Sequence, residues 1–136
     1  MPPDPRRRGP GGTVLTCGTF DLPHYGHYRL LQRARSFGDR LVVGVHDGSH
    51  GKRTVMTQLE RIETIIATGL ADAVLPYSAP LAIVQHVRPD RIVQGDDWFS
   101  TGPDREAIAA MVPVILVPRT PGICTADLKA RLMEAS

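Results

Sequence analysis

The chain has 136 residues, 42% of them hydrophobic, which suits one domain with a self-sufficient core and is too little for two. Lys and Arg outnumber Asp and Glu by 16 to 14, part of that excess being Arg6, Arg7 and Arg8, so no nucleic-acid-binding surface is expected. Cys17 and Cys124 lie far apart without CxxC spacing, which argues against a disulfide framework and for a cytoplasmic setting, and no apolar run approaches the roughly 20 residues of a membrane span.

Residues 1–12, MPPDPRRRGPGG, combine Pro, Gly and Arg with no apolar stretch, and are expected to be a disordered leader ahead of a domain at 13–136. From Thr13 onward, short β-branched runs alternate with helix-period segments. That is the pattern of an α/β chain forming a single Rossmann-like domain, with a five-stranded parallel sheet and helices on both faces. Strands are expected at 13–17, 41–46, 73–77, 91–94 and 112–117. The first helix, 25–37, turns Leu30, Leu31, Ala34 and Phe37 inward and stops at Gly38. Thr57 and Glu60 read as a capping box for a second helix with Ile62, Ile65 and Ile66 on its inner face. Further helices are expected at 80–86, 104–111 and 125–133.

The strongest chemical signal is GTFDLPHYGH at 18–27, where a strand hands over to a helix. His24 and His27 stand three apart with Gly26 between them, so an oxyanion can approach the backbone while both rings reach it from the first helical turn. In parallel sheets ligands bind beyond the carboxyl ends of the strands, at a change of strand order. The loops there read HDGSHGKRT after the second strand, GDDW after the fourth and PRTPGICT after the fifth, a set suited to a polyphosphate and a divalent ion. Walker and GxGxxG loops are both absent, which counts against an ordinary P-loop enzyme or dinucleotide oxidoreductase. A zinc site built from His24, His27, His46 and His50 is the competing reading, but it leaves the intervening glycine and the GTFD run without a purpose.

On four motifs in order, the chain from about Thr13 to Leu132 resembles the HxGH nucleotidyltransferases, in particular the small cytidylyltransferases acting on glycerol 3-phosphate. The motifs are GTFD leading to His24, Tyr25, Gly26 and His27; Lys52 ahead of Glu60 and Arg61; Gly95, Asp96, Asp97 and Trp98; and Arg119 through Thr125. The resemblance implies transfer of CMP from CTP to a small phosphate or phosphonate acceptor, with Mg²⁺ bound through the nucleotide phosphates and no metal ligand from the protein. It makes His24, His27, Lys52 and Arg119 the catalytic set. Gly18, Thr19, Phe20, Gly26, Gly95, Asp96, Thr120, Gly122, Ile123 and Thr125 would contact the nucleotide. Asp21, Lys52 and Arg61 would meet the acceptor or its phosphate. A homodimer is also implied, and neither a nucleic-acid nor a membrane partner.

Glu60 is better explained as the partner of Thr57 than as a catalytic carboxylate, whereas Arg61 opposes the helix dipole in the first turn and so points to a ligand or an acidic partner. Trp98 stays open between a lid over the site and a hydrophobic plug, and Cys17 reads as a small buried hydrophobe. Arg119 with Thr120, Gly122 and Ile123 leans toward CTP. Two departures from the family pattern bear on that lean: Cys124 stands where serine is usual, and Gly69 where an arginine is expected near the phosphates. Three readings therefore stand: a cytidylyltransferase, an adenylyltransferase acting on a sugar phosphate or FMN, and a nucleotide-binding module without turnover.

Overall fold

A computed structural model of the chain describes residues 11–49, 53–95 and 104–135. Its strands are β1 (Thr13–Gly18), β2 (Arg40–His46), β3 (Ala73–Tyr77), β4 (Arg91–Gly95) and β5 (Val114–Val117). The helices between and after them are α1 (Tyr25–Arg35), α2 (Gln58–Ala67), α3 (Pro80–Val87), α4 (Asp104–Met111) and α5 (Thr125–Ala135). All strand pairs are parallel and the sheet order is β3-β2-β1-β4-β5, as a single α/β domain of this pattern requires.

Strand periodicity divides the core in two, because successive residues point to opposite faces. Val14, Val43 and Val45 pack with Leu31 and Ala34 of α1 and Ile65 of α2. Leu15, Cys17 and Val42 pack on the other face with Ile83 and Val84 of α3 and Ile108 of α4. Burying each Val, Leu or Ile stabilises the fold by about 1.5–3 kcal/mol. Cys17 is the small buried hydrophobe expected of it, and burial pushes its thiol up to about 12.

The chain changes its direction of build between β1 and β4, and the ladder between them changes character there. Val14 pairs with Arg91 and Leu15 with Ile92. Further along, the buried Gln94 side chain takes over: its Oε1 accepts from the Thr16 hydroxyl at 3.0 Å and from the Cys17 N–H, and its Nε2 donates to the Cys17 carbonyl at 2.7 Å. An amide side chain thus stands in for a strand edge at the switch point, just where a crevice is needed.

Several boundaries differ from the sequence reading for identifiable reasons. β5 begins at Val114, because the Val112 N–H closes α4 on the Ile108 carbonyl and Pro113 has no N–H to offer. α1 ends at Arg35, where the Ser36 hydroxyl and N–H both bond the Arg33 carbonyl. On α2, Ile66 is 51% exposed, and the buried inward positions are Ile65 and, unexpectedly, Arg61. Gly11 and Gly12, which the sequence placed in the leader, are tied to the sheet's lower edge. The Gly12 carbonyl accepts from Asp39 and Arg40, and that of Gly11 from the Arg91 guanidinium at 2.6 Å. Residues 1–10 lie outside the described part.

Candidate active site

The turn leaving β1 holds two non-glycine residues in the left-handed region, Phe20 at φ 55° and Leu22 at φ 46°. Each such conformation costs about 1–3 kcal/mol and persists only when its surroundings over-determine it. Two buried charged side chains do so. Arg61, 1% exposed, donates from Nη1 to the Thr19 and His46 carbonyls, both at 2.7 Å, and from Nε to the Met56 carbonyl at 3.2 Å. Asp21, 5% exposed, accepts from the Val55 and Met56 N–H groups at 2.9 and 3.0 Å and pairs with Lys129 at 3.0 Å. Burial opposes its charge, but these donors and the Lys129 ammonium outweigh burial and hold the carboxyl below its ordinary value.

The turn delivers His24 as the N-cap of α1. Its Nδ1 accepts the Gly26 N–H at 3.1 Å, and His27 Nδ1 accepts the His24 N–H at 3.2 Å. Imidazoles thereby fill a reciprocal capping box of the kind Thr57 and Glu60 form on α2. The ring centroids lie 4.0 Å apart, and Phe20 packs against His27 at 5.5 Å. With Nδ1 accepting, each neutral ring carries its proton on Nε2. Burial lowers the pKa of His24; burial, aided by the charge on His24, brings His27 down to about 4. Near neutral pH the pair is therefore two Nε2–H donors, without net charge. Gly26 is required by space as well as by chemistry. A Cβ there would stand 2.9 Å from His24 Cε1 and 3.2 Å from Ile123 Cγ2.

A cavity of about 310 Å³ opens beside the pair. Its walls are α1, the ends of β4 and β5 at Gly95 and Val117, the loop at 118–124, and the start of α5 at Thr125 and Ala126. The N-termini of α1 and α5 both face it, and each contributes a positive dipole end. His24, Gly26, His27, Gly95, Arg119, Thr120, Ile123 and Thr125 all line it, so the structure brings these eight candidates together. Cys124 also lies in the wall, whereas Gly69 follows α2, adopts φ 70°, and does not line the cavity.

Of the other candidates among the described residues, none lines the cavity. Gly18 is packed under the Phe20 ring, which a Cβ would meet at 3.0 Å; Phe20 itself is core; the Thr19 carbonyl is held by Arg61; and Gly122 takes a left-handed φ of 86°. Asp21 and Arg61, expected at the acceptor, are engaged with backbone groups of the turn and of residues 53–56. Lys52, Asp96, Asp97, Trp98 and His50 lie outside the described residues. His46, the other ring of the zinc reading, is a latch. Its Nδ1 accepts the Gly48 N–H at 2.9 Å and its Nε2 bonds the Ser78 carbonyl at 3.0 Å. Among the described residues no group of three His, Cys, Asp or Glu could hold a metal ion.

Sequence reasoning missed Leu30 and Arg33, which continue the wall along α1. The signal was present as the three-residue spacing 27, 30, 33 on α1, which makes successive side chains neighbours while the row turns by about 60° at each step. Arg33 Nη1 reaches the Pro118 carbonyl at 3.3 Å and so bridges α1 to the last loop. Lys129 was also missed.

The family model described as cytidylyltransferase-like matches residues 15–134. The chain is 37% identical over 132 residues to the bifunctional protein HldE of Halorhodospira halophila, covering 88% of this chain but 27% of that one. It thus spans about a quarter of the length of that bifunctional relative. It is 33% identical over 123 residues to the glycerol-3-phosphate cytidylyltransferase of Bacillus spizizenii, covering 85% of this chain and 93% of the relative. Among solved structures, a lipopolysaccharide core biosynthesis protein from Thermoplasma volcanium superposes with a TM-score of 0.68 at 27% identity, over 81% of this chain and 98% of that one. A pantoate-beta-alanine ligase from Francisella tularensis shares the fold, with a TM-score of 0.59 at 14% identity over 88% of this chain and 69% of that one. The chain belongs to the cytidylyltransferase-like family.

Proposed function

We propose that this chain is a nucleotidyltransferase that moves CMP from CTP to a small phosphorylated or phosphonate acceptor, glycerol 3-phosphate being the reference case. An acceptor oxygen, already ionised at neutral pH, attacks the α-phosphorus. The bond from that phosphorus to the β-phosphate bridging oxygen breaks, and pyrophosphate leaves without a covalent enzyme intermediate. The protein's task is then to position the reactants and stabilise developing charge.

The observation that carries this reading is the paired capping of His24 and His27 beside the cavity. Two preorganised Nε2–H donors, fixed by their own helix and neutral near pH 7, suit charge that builds on phosphoryl oxygens only in the transition state. Arg119 and the backbone N–H groups at the α5 N-terminus offer further donors to the triphosphate, while the Thr125 hydroxyl is given to the Asp21 carbonyl. The described lining carries no carboxylate, so Mg²⁺, in this reading, is held by phosphate oxygens and neutralises triphosphate charge when bound. Lys52 remains assigned to the triphosphate and acceptor by resemblance, and Asp96 to the nucleotide.

CTP is supported by Arg119, Thr120 and Ile123 in the wall and by the cytidylyltransferase relative matched over nearly its whole length. A homodimer in the cytoplasm is part of the proposal. Leu132 and Met133, 58% and 76% exposed on a helix with no buried residue, are compatible with a partner, and light scattering tests it. No helix among the described residues is long and apolar enough to cross a membrane.

The test is pyrophosphate release with Mg²⁺, each of the four nucleoside triphosphates, and a panel of small phosphates and phosphonates. Release with CTP alone is expected. Release with ATP alone makes the chain an adenylyltransferase, and nucleotide binding without release for any acceptor makes it a binding module.

A further inference from the structure

Asp21 sits between the two left-handed residues of the turn that presents His24, and two distant parts of the chain, the 53–56 segment and α5, converge on it. The Val55 and Met56 N–H groups bond its carboxylate at 2.9 and 3.0 Å. The Thr125 hydroxyl, at the start of α5, bonds its carbonyl at 2.9 Å. One helical turn further on, Lys129 Nζ lies 3.0 Å from its carboxylate and also donates to the Arg53 carbonyl at 3.1 Å. A single ammonium therefore joins α5, the 53–56 segment and the strained turn. Lys129 does not line the cavity, and its partner carboxylate is buried, which separates this pair from an ordinary surface ion pair.

We propose that Lys129 is a positioning residue for nucleotidyl transfer. By bridging Asp21 and the Arg53 carbonyl it locks the turn from which His24 and His27 are presented to the helix that carries Thr125. The inference rests on the reading of function above. Without the ammonium, the Asp21 carboxylate keeps two backbone donors but loses its counter-charge and its link to α5. The turn then relaxes, and the two Nε2–H donors leave the line required in the transition state. Ground-state binding of nucleotide suffers less, because no cavity wall has been removed.

The experiment compares the full chain with Lys129→Met and Lys129→Arg by steady-state pyrophosphate release and by amide hydrogen exchange. Lys129→Met is expected to lower kcat by about tenfold to a hundredfold, with KM for the triphosphate changed by no more than about threefold. Exchange at Val55 and Met56 should quicken in the same variant. Lys129→Arg, which can still bridge a carboxylate and a carbonyl, should restore most of kcat and the protection. An active parent whose Lys129→Met variant keeps its kcat overturns the inference while leaving the function intact. A raised KM with unchanged kcat also overturns it, by showing that Lys129 touches the substrate. A parent inactive with every triphosphate overturns the reading of function and this role with it, and the exchange data then report only a structural tie.

Discussion

His27 accepts the backbone N–H of His24 on Nδ1 at 3.2 Å, while His24 uses its own Nδ1 to accept the N–H of Gly26 at 3.1 Å. Each ring therefore satisfies a backbone donor at the exposed start of α1 and fixes its own tautomer in doing so. Helix capping and presentation of the two Nε2–H groups are one arrangement, so a change in either ring's protonation disturbs both.

The first prediction concerns pH. In the unfolded chain His27 titrates near 6.5, whereas burial and the charge on His24 bring it down to about 4 in the fold. Between those values the unfolded state binds a proton that the folded state does not. This contribution to stability is complete above about pH 6.5 and is lost as pH falls toward 4. Nitrogen NMR of the imidazoles should show Nε2–H tautomers at pH 6 and a His27 midpoint well below 6; a midpoint near 6.5 contradicts the assignment.

Gly26→Ala tests the spacing between the rings and the last loop. Alanine in the first turn would by itself favour the helix by about 0.5–1 kcal/mol. Its Cβ, however, meets the His24 ring at 2.9 Å and Ile123 at 3.2 Å. Turnover should fall by about tenfold or more through misplacement of the ring, while thermal stability changes little. Parent-like turnover would show that His24 does not need this register.

For Arg61 the structure changes the expectation. Sequence reasoning took a cation in the first helical turn as a ligand group, but it donates to the Thr19, His46 and Met56 carbonyls while almost fully buried. Arg61→Met should lower the unfolding free energy by about 3 kcal/mol or more, since hydrogen bonds from a charged group are each worth about 1.5–3 kcal/mol. Urea denaturation measures it. Parent stability combined with only a raised acceptor KM would return Arg61 to the substrate.

The α/β pattern and the sheet edge that carries the candidate site were legible because strands buried on both faces read as continuous apolar runs, and because His24, Gly26 and His27 are spaced for one helical turn. The wall from Gly95 to Thr125 was legible for the same reason, as loops that follow strands β4 and β5. What could not be read was long-range satisfaction of buried polar groups. Nothing local announces that Arg61 reaches 42 residues back to Thr19, that Gln94 clips β1 across 77 residues, or that Lys129 meets the carboxylate of Asp21. Such pairings exist only once the sheet order brings the partners together. Ile66 was placed inward on apolar spacing alone, whereas the buried face of α2 runs through Arg61 and Ile65.

The central claim, that His24 and His27 act as a preorganised donor pair for nucleotidyl transfer, is tested most directly by His27→Ala. Pyrophosphate release with CTP, Mg²⁺ and glycerol 3-phosphate should be measured beside the parent, with circular dichroism to confirm the fold. Loss of one such donor lowers turnover by about a hundredfold to a thousandfold, and that loss in a folded variant is the predicted result. A folded His27→Ala protein releasing pyrophosphate at nearly the parent rate would contradict the account.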